Sequence, residues 1–487
     1  MFMQTDATPN SPVSPHPVVA ALVADLGAAQ VIGDPTRLLT YESDGFSIAK
    51  AAPVAVVLPQ NTAQVAQAIN IIRAHGLDIV PRGAATGLAG GTVSVTPSVQ
   101  ISTARMRQIH QIDLRNRWAL VDAGLPNLAL TDALAGTHLQ FAPDPSSQRA
   151  ATIGGNVATN AGGVHTLEAG VTVNHLLGVE IVLADGSVHV HGGPTGHGIG
   201  PDLTGLLCGS EGTLGIITRV WCRLTPRPVA FRTALAVFHD SAEACKTVAD
   251  IIAAGIIPAA MEMMDGPMIR VVEDAFHYGF PTDAQALLLI EIDGLEAALD
   301  AQMDAICMLA KQNNARSVEA GSDPARRTKL WAARKSAFGA IGRISPTYCT
   351  QDACVPRSKL PQVITKVAEI CNRYQLLITN VFHAGDGNVH PILVFDEHNP
   401  AEVRRALEAS GEILRYCVSI GGTITGEHGV GIEKLPYMRD MFAPDDLTAM
   451  HRIRRALVMN LLFNPYKVLP VDGVEIDVMH PGRRAPQ

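Results

Sequence analysis

The sequence predicts an α+β protein of two or three domains, and three observations predict it. The first half holds a strand–helix–strand unit followed by three glycine-rich segments. From Val229 onward, apolar strands alternate with amphipathic helices, the pattern of an antiparallel sheet covered by helices. The chain has 487 residues, more than the ~250–300 over which a single core keeps growing.

In chain order, residues 1–17 are rich in Thr, Ser, Pro and Asp, with neither a basic nor an apolar region, and read as a disordered tail rather than a secretion signal. Residues 18–26 form a short apolar helix stopped by Gly27. Residues 53–59 (PVAVVLP) read as a buried strand. Asn61 then caps a helix with Val65, Ala68, Ile69 and Ile72 on one face, ending at Gly76. Residues 77–80 are the next strand, so the unit predicts a parallel pair. The loop after it, PRGAATGLAGG over residues 81–91, can turn its N–H groups toward a phosphate. A strand-like stretch follows where a dinucleotide fingerprint needs a helix, and the GK[ST] of a nucleotide-binding P-loop is absent. Taken alone, the loop fits a tight packed turn equally well.

A second cluster, FAPDPSSQRAATIGGNVATNAGG over residues 141–163, combines small residues with neutral hydrogen-bonding side chains. Residues 176–190 predict a hairpin turning at Asp185-Gly186, and residues 202–218 form a third glycine-rich segment. Three such segments suit an extended cofactor lying along the backbone. Pro226 and Pro228 mark a boundary. Beyond it come strands over residues 234–238, 286–292, 376–381 and 391–395, and helices over 242–254, 295–312, 360–374 and 401–420. Residues 424–478 read as mostly helical and 479–487 as a polar tail.

Composition narrows the function classes. Charged residues are 17% and the formal net charge is −8, a poor match to nucleic acid, which requires clustered Lys and Arg. No run of ~18 apolar residues predicts a membrane-spanning helix. The 8 cysteines are scattered without a CxxC pair, which argues against an iron–sulfur cluster or zinc ribbon and fits thiols in a reducing cytosol.

Chemistry-bearing residues gather late in the chain. In HAGDGNVH, His383 and His390 flank turn residues at the stems of a hairpin. They are either two joint ligands for a divalent metal or two polar residues facing solvent. Glu427-His428 lies between glycines in TGEHGVGIEK; Glu427 as a third ligand would complete a His/His/Glu site with open positions. Arg334, in a helical run, either clamps a carboxylate or is a solvated charge on the helix face. His189, His191 and His197 lack acidic or Cys partners and read as a surface hairpin and loop.

VVLPQNTAQVAQAI, PRGAATGLAGG, PDPSSQRAATIGGNVATNAGG, GSEGTLGIIT, FHAGDGNVHP, TGEHGVGIEK and FNPYKVLP occur in order. With them the chain resembles the FAD-linked oxidase family of the vanillyl-alcohol oxidase and p-cresol methylhydroxylase superfamily. Within it, the likeness runs toward flavin subunits of glycolate oxidases and FAD-dependent D-lactate and D-2-hydroxyglutarate dehydrogenases. The resemblance implies a two-part FAD-binding domain over residues 18–226, an α+β cap domain with an antiparallel sheet over 227–423, and a C-terminal segment over 424–478 packing back on the first domain.

It also implies roles. Pro81, Arg82, Gly83, Ala84, Ala85, Thr86, Gly87 and Leu88 would hold the FAD pyrophosphate. Pro143, Ser146, Ser147, Thr152, Gly154, Gly155, Asn156, Asn160 and Gly162 would line the flavin and ribityl chain. Glu211 and Ile217 would contact the adenosine side, and Asn464 would close the site. Some relatives attach the flavin covalently through a histidine of the first loop; this loop has none, which implies non-covalent FAD. His383, His390 and Glu427 would bind a divalent metal such as zinc, His428 would be the base, and Arg334 would grip the substrate carboxylate. The implied reaction oxidises a small 2-hydroxy acid, with metal-assisted deprotonation of the hydroxyl and hydride transfer to flavin N5. Electrons would pass to a quinone or an iron–sulfur partner subunit, in a homo- or hetero-oligomer in the cytoplasm or held at the inner membrane by partners. A metal-dependent hydrolase is the competing reading, and it leaves the glycine-rich segments unexplained.

Overall fold

A computed structural model of the chain describes residues 16–196, 199–345, 347–458 and 461–482. Almost all of the expected N-terminal tail, His197, and residues 483–487 of the expected C-terminal tail lie outside the described residues. Residues 479–482 do not trail away: Pro481 is buried and Met479 packs against the large core described below.

Helix Pro17–Leu26 buries Val18, Leu22 and Leu26, one residue per turn, in the core it shares with helix Thr62–Ala74. Helix Thr62–Ala74 starts where the sequence places it, with Asn61 Oδ1 accepting the Gln64 N–H at 3.0 Å. Four strands form the first sheet in the order Val31–Ile32, Ala55–Val57, Ser98–Ser102, Asp78–Arg82. Strands Ala55–Val57 and Asp78–Arg82 therefore do not pair with each other, as the strand–helix–strand unit predicts. Each runs parallel to Ser98–Ser102, which lies between them. All five residues of that strand are buried, which suits a central position better than an edge.

The second sheet is antiparallel, in the order Ile109–Asp113, Trp118–Asp122, Ile216–Arg223, Leu176–Val182, Val188–Gly192. The hairpin at Asp185-Gly186 forms as predicted, with Gly186 at φ +80°.

The largest sheet is antiparallel throughout, in the order Ser317–Gly321, Ala230–Phe238, Ala286–Gly294, Ala260–Asp265, Leu377–His383, Asn388–Phe395, Thr347–Thr350, with Ala353–Cys354 also pairing to Asn388–Phe395. Alternation along its strands splits the packing into two layers. Ala234, Ala236 and Phe238 face helices Ser241–Ala253, Glu296–Gln312, Leu360–Arg373 and Pro400–Ser419. Leu235 and Val237 face helices Gly266–Phe276 and Pro324–Ile341. Sequence reading missed strand Ala260–Asp265 because all six of its residues are buried and show no alternation.

Beyond residue 424 the expected helical segment is largely absent. Helix Pro444–Leu457 is its one long helix among the described residues. Leu461, Asn464, Tyr466 and Val468 all adopt positive φ, which no right-handed helix accommodates. This stretch returns to the first sheet: Ile79 N–H donates to Leu462 O and Asn464 N–H to Ile79 O, both at 2.8 Å, with Phe463 fully buried between them. The buried Arg454 guanidinium holds it there through the carbonyls of Phe463, Asn464 and Lys467.

Candidate active site

The three glycine-rich segments converge on one cavity of about 480 Å³, within the usual size range for ligand sites. Residues 81–88, Ser146, Ser147, Thr152, Gly154, Gly155, Asn156, Glu211 and Ile217 line it, and His383, His390, Glu427 and His428 open into it as well. Close backbone approach shapes the cleft. A Cβ on Gly83 would come 2.5 Å from Thr152 Oγ1, and one on Gly154 would come 2.6 Å from Ala123 Cβ. Arg82 braces the first loop from behind: its Nη1 donates to Tyr41 O and Ser43 O, and its guanidinium lies 5.1 Å over the Tyr41 ring. Asn156 and Thr350 line the cavity, while their Nδ2 and Oγ1 atoms are buried without a partner among the described residues. A lining of bare backbone and neutral hydrogen-bonding side chains fits FAD.

Pro143, Asn160, Gly162 and Asn464 support the cavity rather than line it. Pro143 O accepts from Asn127 Nδ2. Asn160, at φ +50°, accepts the Val173 N–H. Asn464 Nδ2 donates to Glu211 O and Gly91 O. A Cβ on Gly162 would come 2.8 Å from Glu427 Oε2. Glu211 lines the cavity, but its two oxygens accept the Val430 and Gly431 N–H groups at 2.7 and 2.8 Å, so its carboxylate holds a protein loop. Burial raises its pKa.

His383 and His390 stand on adjacent antiparallel strands joined by the predicted turn, and neither faces solvent. Their rings meet edge-on with centroids 5.1 Å apart. Glu427 Oε1 lies 3.2 Å from His383 Nε2 and 3.4 Å from His390 Nε2. Ligand-capable atoms of the three residues lie within 4.8 Å of one another, close enough to hold one metal ion. Asp352, His390 and His428 form a second such group. The first is the better cup, because Asp352 is already engaged by Thr425, Gly426, Glu427, His428 and Lys434.

Glu262, absent from the sequence reading, accepts from His383 Nδ1 at 2.6 Å and fixes that ring. Burial opposes a charge on His383, but Glu262 and Glu427 outweigh it and hold its pKa well above the ordinary value. The His428 ring stacks on His390 at 5.1 Å and 8°. Burial pushes its pKa down to about 4 against the pull of Asp352, leaving a neutral imidazole.

Arg334 is neither a solvated charge nor a group lining the cavity. It is buried, with Nη2 2.6 Å from Glu262 Oε2. Helix Pro324–Ile341 packs across the sheet face that carries Glu262 and turns the guanidinium inward. Lys335, Phe338, Tyr348 and Thr350 line the cavity instead. His189 and His191 stack on the hairpin strand Val188–Gly192, at the edge of the second sheet, as expected.

Residues 53–192 match the FAD binding domain and residues 227–468 match the C-terminal domain of FAD linked oxidases. The glycolate oxidase subunit GlcD of Escherichia coli (strain K12) is 42% identical over 93% of this chain and 91% of that protein. The chain belongs to the FAD-linked oxidase family. The GlcD subunit of Bacillus subtilis (strain 168) is 38% identical over 89% of this chain and 93% of that protein, and a D-lactate dehydrogenase of Archaeoglobus fulgidus 32% over 85% and 91%. Among solved structures, p-cresol methylhydroxylase superposes with a TM-score of 0.77 at 18% identity, covering 92% of this chain and 96% of that one. The 4-ethylphenol oxidase of Gulosibacter chungangensis gives 0.76 at 18%, covering 93% and 97%. This FAD-linked oxidase is thus an oxidoreductase, and the fold read from its motifs is the fold observed.

Proposed function

We propose that this FAD-linked oxidase converts a small 2-hydroxy acid, glycolate or D-lactate, to the 2-oxo acid. One observation carries the reading: the cluster of His383, His390, Glu427 and His428 opens into the same cavity as the cofactor-lining loops. The names of the GlcD subunits and the D-lactate dehydrogenase support the substrate class.

FAD, held by residues 81–88, Ser146, Ser147, Thr152, Gly154, Gly155 and Asn156, would supply the hydride acceptor. It is held without a covalent bond, since the first loop contains no histidine. His383, His390 and Glu427 would hold a divalent cation, zinc being suited to a His/His/Glu set, and it would supply Lewis acidity toward the hydroxyl. Neutral His428 accepts the hydroxyl proton, and its place next to Glu427 keeps it in reach. Glu262 holds the His383 tautomer.

Residues 18–226 serve the cofactor, 227–423 the substrate, and 424–478 close the site. The metal-capable groups among the described residues contain no cysteine, which favours a quinone or an iron–sulfur partner subunit as electron acceptor. We place the enzyme in the cytoplasm, at the inner membrane only through a partner; no helix among the described residues is long and apolar enough to cross a membrane. A panel of D- and L-2-hydroxy acids with a dye acceptor tests the substrate. Turnover of glycolate or D-lactate is expected. Turnover of D-2-hydroxyglutarate alone would move the assignment to a longer acid, and a colourless protein would favour a hydrolase.

A further inference from the structure

The segment carrying Glu427 and His428 has no regular structure of its own. Gly426, Gly429 and Gly431 flank the pair, with Gly429 at φ +86° and Gly431 at φ +52°. Such a backbone leaves two adjacent side chains free to exchange directions unless its N–H groups are tied. Five of them are tied to two buried carboxylates, Asp352 and Glu211. Asp352 accepts from Gly426 N at 3.0 Å, Glu427 N at 3.2 Å and His428 N at 2.9 Å. Glu211 takes the Val430 and Gly431 N–H groups. Asp352 also accepts from Thr425 Oγ1 at 2.7 Å and Lys434 Nζ at 3.0 Å, and none of it is exposed. It follows strand Thr347–Thr350 of the large sheet, whereas Glu211 precedes strand Ile216–Arg223 of the second sheet.

We propose that Asp352 is a positioning residue that aims Glu427 at the His383/His390 pair and stacks His428 on His390, with Glu211 fixing the far end of the same loop. The inference rests on the reading of His383, His390 and Glu427 as a metal cup. In this reading Asp352 is not a ligand, because both its oxygens are engaged: Oδ2 serves Thr425, Gly426, His428 and Lys434, Oδ1 accepts the Glu427 N–H at 3.2 Å, and His390 Nδ1 faces Gln351 O at 3.1 Å.

Asp352→Asn keeps the shape but sets an amide NH₂ against N–H donors. Its FAD content should match wild type. Its affinity for zinc, measured by chelator competition, should fall about 10–100-fold, the usual loss when a partner of a metal ligand is removed. With zinc saturating, kcat should fall while KM for the hydroxy acid holds. Lys434→Met leaves the three N–H bonds in place and should bind zinc as wild type does. If the single variant does not fold because Lys434 is left unpaired, the double variant Asp352→Asn/Lys434→Met relieves that charge and should show the same losses. Wild-type zinc affinity and kcat in the folded Asn variant would overturn the inference alone. Tighter zinc binding by Lys434→Met would make Asp352 a ligand and overturn it too. A wild-type protein that takes up no zinc would instead remove the metal cup, and this inference with it.

Discussion

Arg334 and Lys335 are adjacent cations on one helix with opposite surroundings. The first is buried against Glu262 and the second lines the cavity. Arg334→Met would leave the charged, buried Glu262 with His383 alone. Breaking such a pair costs about 3–5 kcal/mol, so urea unfolding should register a loss of that order, while Arg334→Lys should recover part of it. A Lys variant with unchanged stability and a raised KM for the hydroxy acid would instead put the guanidinium on the substrate. Glu427 and His428 separate by readout. Glu427→Gln should lower metal content, because an amide is a poorer ligand than a carboxylate. His428→Asn should keep metal and FAD yet slow flavin reduction by about 10²–10⁴-fold, the usual contribution of a general base; metal loss confined to His428→Asn would reverse the two roles. His383, His390, Glu427 and His428 were legible because turn residues and glycines frame them. Glu262 and Asp352 were not, since no local turn or glycine pattern marks either and their partners are distant: 121 residues away at His383 and 76 at His428. Nor does sequence tell which of two neighbouring cations a helix turns inward.

Glycine packing acts between elements. Gly154, in helix Ile153–Thr159, sits against Ala123, just after strand Trp118–Asp122; a Cβ there would come 2.9 Å from Ala123 O as well as 2.6 Å from its Cβ. Gly154→Ala must push the helix off the second sheet, an overpacking cost of about 1–3 kcal/mol. FAD retained through gel filtration should drop, and full retention would mean the cleft tolerates the shift. Local signals identified the hairpins at Asp185-Gly186 and His383–His390 and most of the long helices, because turn chemistry and helical periodicity are written in neighbouring residues; helix Gly266–Phe276 and the hairpin of Ile109–Asp113 with Trp118–Asp122 were missed. Strand order was less legible. The insertion of Ser98–Ser102 between two strands of a local unit depends on burial, and positive φ at non-glycine residues in the C-terminal stretch depends on Arg454 holding its carbonyls.

At the scale of the molecule, His165 ties the cofactor-lining PDPSS loop to the large sheet. Its Nδ1 lies 2.8 Å from Asp144 Oδ2 and its Nε2 3.5 Å from Glu291 Oε1. Arg327 and Trp331 also hold Glu291. Burial opposes a charge on His165, but Asp144 and Glu291 outweigh it and raise its pKa from 6.5 to about 10. Its stabilisation is therefore complete below pH 6.5 and is lost as pH rises through about 10. Burial likewise opposes Glu291, yet His165, Arg327 and Trp331 lower its pKa from 4.5 to about 2, so its share is present above pH 4.5 and lost as pH falls through about 2. Melting curves of wild type and His165→Gln should converge as pH approaches 10; curves that stay parallel would deny the imidazolium this role. The central claim is that flavin and the histidine cluster act on one 2-hydroxy acid within one cavity. Anaerobic mixing with glycolate or D-lactate, followed by flavin absorbance, tests it most directly. Bleaching of the wild-type protein, greatly slowed in a His428→Asn variant that still holds FAD, is the predicted result. A flavin that neither acid bleaches, or that bleaches equally fast in both proteins, would contradict it.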